Sequence, residues 1–154
     1  MEELDGMTII YGRIDTLYRF FDSLSPRPLD FDITYGVLNE NNINTCGIFI
    51  KGGNPSNLER SVSTGEQLVR RAFVSFNILG NPEGDEGTIN AFSFCEEYIS
   101  VLEKTFNTMY TSDTGKTLYI QRMDIMGDVN DLGLNKFQTP VFSFNIVIYY
   151  KEVN

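Results

Sequence analysis

An α+β domain is what the 154-residue sequence predicts: a mixed, largely antiparallel five-stranded sheet with two amphipathic helices on one face. Two alternating stretches carry the prediction. In Val69–Leu79 the even positions Ala72, Val74, Phe76 and Ile78 are apolar; in Val141–Tyr150 the even positions Phe142, Phe144, Ile146, Ile148 and Tyr150 are apolar or aromatic. Between them stand Ser75, Asn77, Ser143 and Asn145. Period-two alternation in β-branched and aromatic residues marks a strand with one buried face. Both stretches contain Ser-Phe-Asn-Ile, an echo better explained by one local demand met twice than by duplication. If the two strands share a sheet, their aromatic faces lie on one side and need helices over them.

The remaining elements follow in chain order within a single domain, 1–154. From Gly6 to Leu24, Met7, Ile10, Tyr11, Ile14, Leu17, Tyr18 and Phe21 recur at three- and four-residue steps, which predicts an amphipathic helix. Ser25-Pro26-Arg27-Pro28 stops it, because a proline disfavours helix in the residue before it. Phe20 lies off this stripe and reads as a surface residue or a partner contact. Ile33, Tyr35 and Val37 alternate, Asn39–Asn44 supplies turn chemistry, and Cys46–Lys51 reads as the return strand of a hairpin. Residues 52–67 follow as a long loop, of the kind that is either functional or disordered.

After the strand Val69–Leu79, Asn81–Gly87 breaks regular structure and gathers negative charge. A second helix places Phe92, Cys95, Ile99, Leu102, Phe106 and Met109 on one stripe with Tyr98 beside it. Asn90 is its preferred N-cap; Ser93 with Glu96 offers capping-box spacing as the alternative. Thr117–Ile125 reads as a strand whose phase changes at Gln121-Arg122, the mark of a bulge. A loop, 127–140, leads to the last strand.

Twenty-one acids against 12 bases leave a net charge of −9 and no basic run. Tight nucleic-acid binding, which draws on Lys and Arg against phosphate, is disfavoured. Cys46 and Cys95 lack metal-ligand spacing and read as buried free thiols of a reducing cytoplasm. No apolar run approaches the ~20 residues of a membrane span, and Met1-Glu2-Glu3 is acidic, unlike the start of a signal peptide.

Motifs for covalent chemistry are weak. The sequence has no His, so the usual proton shuttle at neutral pH is missing, and Ser or Cys nucleophiles lack an activating imidazole. Gly115-Lys116-Thr117 has the ending of a phosphate loop, but Tyr110 stands where its first glycine belongs and the segment runs from helix to strand. Asp128-Val129-Asn130-Asp131-Leu132-Gly133 begins like a calcium loop, yet Leu132 replaces an oxygen ligand and Thr139 the closing Glu. Neither a catalytic residue nor a cofactor or metal site is expected.

The order of elements resembles a known family. An N-terminal helix, a short hairpin, a Gly52-Gly53 loop and the strand Arg71-Ala72-Phe73-Val74-Ser75-Phe76 precede a helix. Leu132-Gly133-Leu134-Asn135 then leads into Phe142-Ser143-Phe144-Asn145 and Tyr149-Tyr150. Roughly Gly6 to Lys151 is similar in this way to the tail terminator (tail-to-head joining, or minor capsid) proteins of long-tailed bacteriophages. The resemblance implies a structural virion protein at the head–tail junction, assembled in the host cytoplasm. It implies a hexameric ring that caps the tail tube, with itself, the tail tube protein and a head-completion or connector protein as partners. DNA would pass nearby without tight binding, and no membrane is involved.

That family's ring contacts follow no fixed motif, so candidate contact residues are placed by loop and strand. Gly52, Gly53, Asn54, Asn57, Leu58 and Arg60 fall in the first loop, and Leu132, Asn135 and Lys136 in the second, as inter-subunit or tube-facing positions. An ordinary solvent-facing connection is the alternative for each loop. Arg70, Arg71 and Arg122 are candidates for pairing with acids of a neighbouring subunit, against intramolecular or edge-protecting pairs. Glu83, Asp85 and Glu86 form an acidic loop, read as a solvated loop tip or, in a ring, as a lining of the bore, where like charge would repel phosphate. Rival readings are another head–tail connector component, a tail tube subunit, a small cytoplasmic α+β enzyme using Asp, Glu or Tyr, and a ligand-binding adaptor.

Overall fold

The computed structural model describes residues 2–4, 7–26, 30–55 and 69–153. Its elements are β1 (Glu2–Leu4), β2 (Met7–Ile9), α1 (Arg13–Ser23), β3 (Asp32–Tyr35), β4 (Thr45–Pro55), β5 (Arg70–Leu79), α2 (Asp85–Glu103), β6 (Thr108–Thr111), β7 (Thr117–Leu134) and β8 (Pro140–Val153). β1 and β2 pair as a small antiparallel ribbon, while the other six strands form one curled sheet in the order β3-β4-β5-β8-β7-β6.

The two alternating stretches are neighbours at the centre of this sheet. β5 and β8 run antiparallel with Ser75 opposite Asn145, Phe76 opposite Phe144 and Asn77 opposite Ser143. The echoed tetrapeptides therefore meet head to tail about a Phe–Phe pair. The even positions of both strands are buried, and those rings carry the two helices. Phe76 stacks on Phe144 with centroids 4.5 Å apart and 11° between planes. It receives Phe21 of α1 edge-on at 5.5 Å and Tyr98 of α2 at 5.0 Å, so both helices cover the same face. The Tyr98 hydroxyl donates to the Phe21 carbonyl and ties helix to helix.

Several boundaries differ from the sequence expectation, each for a local reason. The first helix starts at Arg13 instead of near Gly6, and Met7–Ile9 is strand. Consecutive β-branched residues at 8–10 favour extended backbone, which continues through the N-cap Gly12 (φ −111°, ψ −157°) before the helix begins at Arg13. Phe20, expected at the surface, is 2% exposed: Tyr110 of β6 meets its ring edge-on at 5.4 Å and Phe21 lies against it at 5.3 Å. β6 itself is the sixth strand. It takes up Met109, which was expected on the helical stripe and is exposed, as is Phe106.

α2 begins at Asp85, well before the expected cap at Asn90. The early start is set by close packing: a Cβ on Gly87 would lie 1.7 Å from the Asn81 carbonyl oxygen, and one on Gly80 would lie 2.8 Å from the Gly87 carbonyl oxygen. Glycine at these positions lets the first helical turn press onto the chain leaving β5. The buried stripe is Ala91, Phe94, Cys95, Tyr98 and Leu102, with Phe92 partly exposed and edge-on to Phe142 at 5.5 Å.

The expected hairpin of Ile33–Val37 with Cys46–Lys51 is replaced by a parallel pair, Asp32 opposite Thr45 through Tyr35 opposite Ile48. The connection 36–44 turns at Gly36 (φ +72°) and crosses β4, placing Leu38 against Gly47, where a Cβ would come within 3.1 Å of it. The expected loop 127–140 is mostly strand: β7 continues to Leu134, a turn occupies 135–139, and β8 starts at Pro140. The bulge expected at Gln121-Arg122 is present as a register shift between Ile120 and Arg122. Further shifts at 126/130 and 131/134 accompany Gly127 (φ +74°) and Gly133 (φ +77°), and curl the outer arm of the sheet.

Truncating the central pair should be costly. Phe76→Ala or Phe144→Ala is expected to lower stability by about 3–5 kcal/mol in urea unfolding, against under ~1 kcal/mol for the half-exposed Phe73→Ala. Gly87→Ala, which forces a side chain into backbone, is expected to cost about 1–3 kcal/mol.

Candidate assembly surfaces

Because both described helices lie on the even-numbered face, the odd-numbered face of the sheet carries no helix among the described residues. Directly opposed residues share a face, so the registers place its side chains in rows. Across the sheet these rows read Tyr119–Lys151, then Arg71–Tyr149–Arg122, then Lys51–Phe73–Val147–Asp124, then Phe49–Ser75–Asn145–Met126. Farther along, Gly47, Asn77, Ser143 and Asn130 continue the face. Ser and Asn between the buried rings thus serve as the polar floor of this open surface.

One end of the face is apolar. Leu38, Phe49, Leu79, Leu132, Leu134 and Val141 line a trough of about 340 Å³, with Glu40, Asn77 and Asn135 as its polar members. The turn after β7 closes this end. Asn135 donates from Nδ2 to the Glu40 carbonyl at 2.9 Å, and Lys136 Nζ lies 3.6 Å from Glu40 Oε2. Asn135 Oδ1 in turn accepts from the backbone N–H of Phe137 at 2.8 Å and of Thr139 at 3.2 Å, which shapes the turn. Leu132, Leu134 and Phe137 are exposed around it. Asn135 and Lys136 therefore brace the tip against the 36–44 connection, while Leu132 stands free at the rim.

The other end is cationic and aromatic. Arg122 stacks over Tyr149 at 4.1 Å, Lys151 over Tyr119 at 5.4 Å and Arg71 over Phe73 at 5.8 Å. Lys51 is exposed beside Phe73. Arg122 also approaches Asp124, 3.6 Å between Nε and Oδ2. Arg71 and Arg122, singled out from sequence, share this row; Lys51, Lys151, Phe73, Tyr119 and Tyr149 were missed. The odd positions of the alternating strands held the signal for the β5 and β8 members. Arg70 is separated from Arg71: it lies opposite Tyr150 on the helix side. There burial raises the Tyr150 hydroxyl pKa, and the charges of Arg13 and Arg70 offset part of that rise.

Of the first candidate loop, Gly52, Gly53 and Asn54 belong to β4, with Gly52 at φ +93° and a register shift between Gly52 and Asn54. Asn57, Leu58 and Arg60 lie outside the described residues. The acidic loop is a helix start: Asp85 and Glu86 form the first turn of α2 and Glu83 precedes it, all three exposed. Acids there complement the positive end of the helix dipole. Among the described residues, no three His, Cys, Asp or Glu side chains converge to hold a metal ion. No described helix is long and apolar enough to cross a membrane.

Both thiols are withdrawn from solvent. Cys46 and Cys95 are both free and fully buried. Burial, with the Glu96 charge adding to it, pushes the Cys95 thiol up to about 12, and burial likewise raises Cys46. At the open end of the core, Lys116 Nζ contacts Glu152 Oε1 at 2.9 Å, and this hydrogen bond holds the Glu152 carboxyl below the usual carboxylate range. Compared with protein-family models and with curated proteins, the chain finds no match.

Both thiols are expected to resist Ellman's reagent at pH 8 in the folded protein and to react together on unfolding; rapid reaction of native protein contradicts this burial. Glu152 contributes stability above the unfolded carboxylate pKa that is lost as pH falls through its depressed folded value. Lys116→Met should remove that contribution, expected to be under ~1 kcal/mol for so solvent-screened a pair, as read from denaturation midpoints at pH 7 and pH 3.

Proposed function

We propose that this chain is a structural virion subunit, a tail terminator that closes the tail tube of a long-tailed bacteriophage as a hexameric ring and joins it to the head-side connector. The observation that carries the reading is the outer edge of β7. β6 pairs with it from Thr117 to Ile120 and the Asn107 N–H donates to the Gln121 carbonyl, so the strand beyond Gln121 presents an unpaired edge among the described residues. Long exposed edges are liabilities in a lone protomer and templates when a neighbour covers them. Around that edge Met126, Leu132, Leu134 and Phe137 are exposed, a second feature suited to contact with another subunit.

The resemblance of the Leu132–Asn135 and Phe142–Tyr150 segments to tail terminators supplies the identity of the assembly. The absence of His and the burial of both thiols favour work by geometry over covalent chemistry. The net charge of −9 per subunit suits a ring through which DNA passes without adhering. Within the assembly class, another connector component or a tube subunit differs in how it polymerises: a tube subunit elongates, whereas a terminator stops at one ring.

Light scattering coupled to size exclusion is expected to give a closed particle of six times the 17.5 kDa protomer mass, alone or with its tube protein. Negative-stain images of tubes assembled with the tube protein of the same phage should show caps and limited length. Tubes that grow unchanged in its presence overturn the reading, as does a stable monomer with catalytic turnover.

A further inference from the structure

Among the described residues, the cationic end of the open sheet face is only partly matched by acids. Lys51, Arg71 and Lys151 make no ion pair with a described residue, and two of them are held over aromatic rings. With Arg122 they place four of the chain's 12 Lys and Arg within three adjacent rows, where Asp124 is the one opposed acid among the described residues. The rest of the molecule is correspondingly more acidic than the net charge of −9 states. Glu83, Asp85 and Glu86 project at the start of α2, exposed and likewise without an ion pair to a described residue.

These two surfaces cannot meet inside one copy. Arg71 and Phe73 lie near the start of β5, and the acidic turn follows its end. The ten-residue strand separates them by roughly 30 Å, and α2 sits on the opposite face of the sheet. Charge complementarity between them is available only to a second copy. The contact joins unlike surfaces, so it is head-to-tail and repeats from copy to copy, giving a ring where the rotation between copies closes.

We infer that the Lys51–Arg71–Arg122–Lys151 face is the docking surface for the acidic first turn of α2 of the next copy. The inference deepens the ring reading and rests on it. Stacking on Tyr149, Tyr119 and Phe73 restricts the long cationic side chains in advance, which reduces the ordering cost when the carboxylates arrive. Arginine at two of the four positions suits bidentate recognition of carboxylate.

The test is charge reversal in the full chain, with circular dichroism as the fold control. Lys51→Glu with Arg71→Glu is expected to weaken self-association at least about tenfold by sedimentation velocity. Glu83→Lys with Glu86→Lys is expected to do the same. Mixing the two folded variants should restore association between them, which a merely unstable variant would not show. Wild-type association should weaken between 50 mM and 500 mM salt. A wild-type ring that forms equally well in either variant overturns this interface while leaving the ring reading intact. A wild type that never associates, with or without tube protein, overturns both. Because cations over aromatics also suit nucleic acid, labelled single-stranded and duplex DNA are titrated in parallel. DNA binding lost in the Lys51/Arg71 variant with assembly unchanged overturns the protein-docking role in favour of a phosphate surface.

Discussion

The stacked Phe76–Phe144 pair is the contact on which the rest of the structure depends. It joins the two central strands in a single register, and the rings above it position α1 through Phe21 and α2 through Tyr98. A shift of either strand by one residue would turn every ring toward the open face and every Ser and Asn toward the helices. The register is therefore strongly specified, because one face is dry and the other is not. The echo of Ser-Phe-Asn-Ile in the two strands is a consequence: neighbours in the middle of the same sheet face the same two environments.

One-sided coverage by helices also creates the surface through which this protein is proposed to act. The uncovered face divides into an apolar trough closed by the Asn135–Glu40 brace and a cationic end of stacked Arg and Lys. The glycine bulges of β7 curl its arm and shape the trough. Among the described residues, an apolar pocket, an open strand edge and a group of cations lie on one side of the protomer, the features on which the proposed assembly rests. None requires a reactive side chain, and the two thiols are sealed in the core.

Legibility in the sequence followed the range of the interaction that set each feature. β5, β8 and the bulge at Ile120/Arg122 were readable because alternation and its interruption are carried by adjacent residues. The start of α2 was misread because Gly87 packs against Asn81 and admits a helical turn that the apolar spacing does not announce; the acidic Asp85-Glu86 pair after Gly84 was the available hint. Phe20 lies off the apolar stripe and is buried by a long-range contact with Tyr110, which spacing within the helix does not show. Among candidate contact residues, Arg71 and Arg122 were correctly placed on strands, but that they share a row and that Arg70 faces the other way follow from pairing between strands.

By itself, the sequence determined the alternation that assigns inner and outer faces to the central strands, the acidic balance, and the lack of an imidazole for proton transfer. These are local or additive properties, present in the chain before it folds. Only the tertiary structure decided that β3 runs parallel to β4, that a sixth strand supports α1, and that Lys51, Arg71, Arg122 and Lys151 gather from four strands onto one surface. Those outcomes depend on which strand lies beside which, and adjacency is set by long-range burial that no short window of residues encodes.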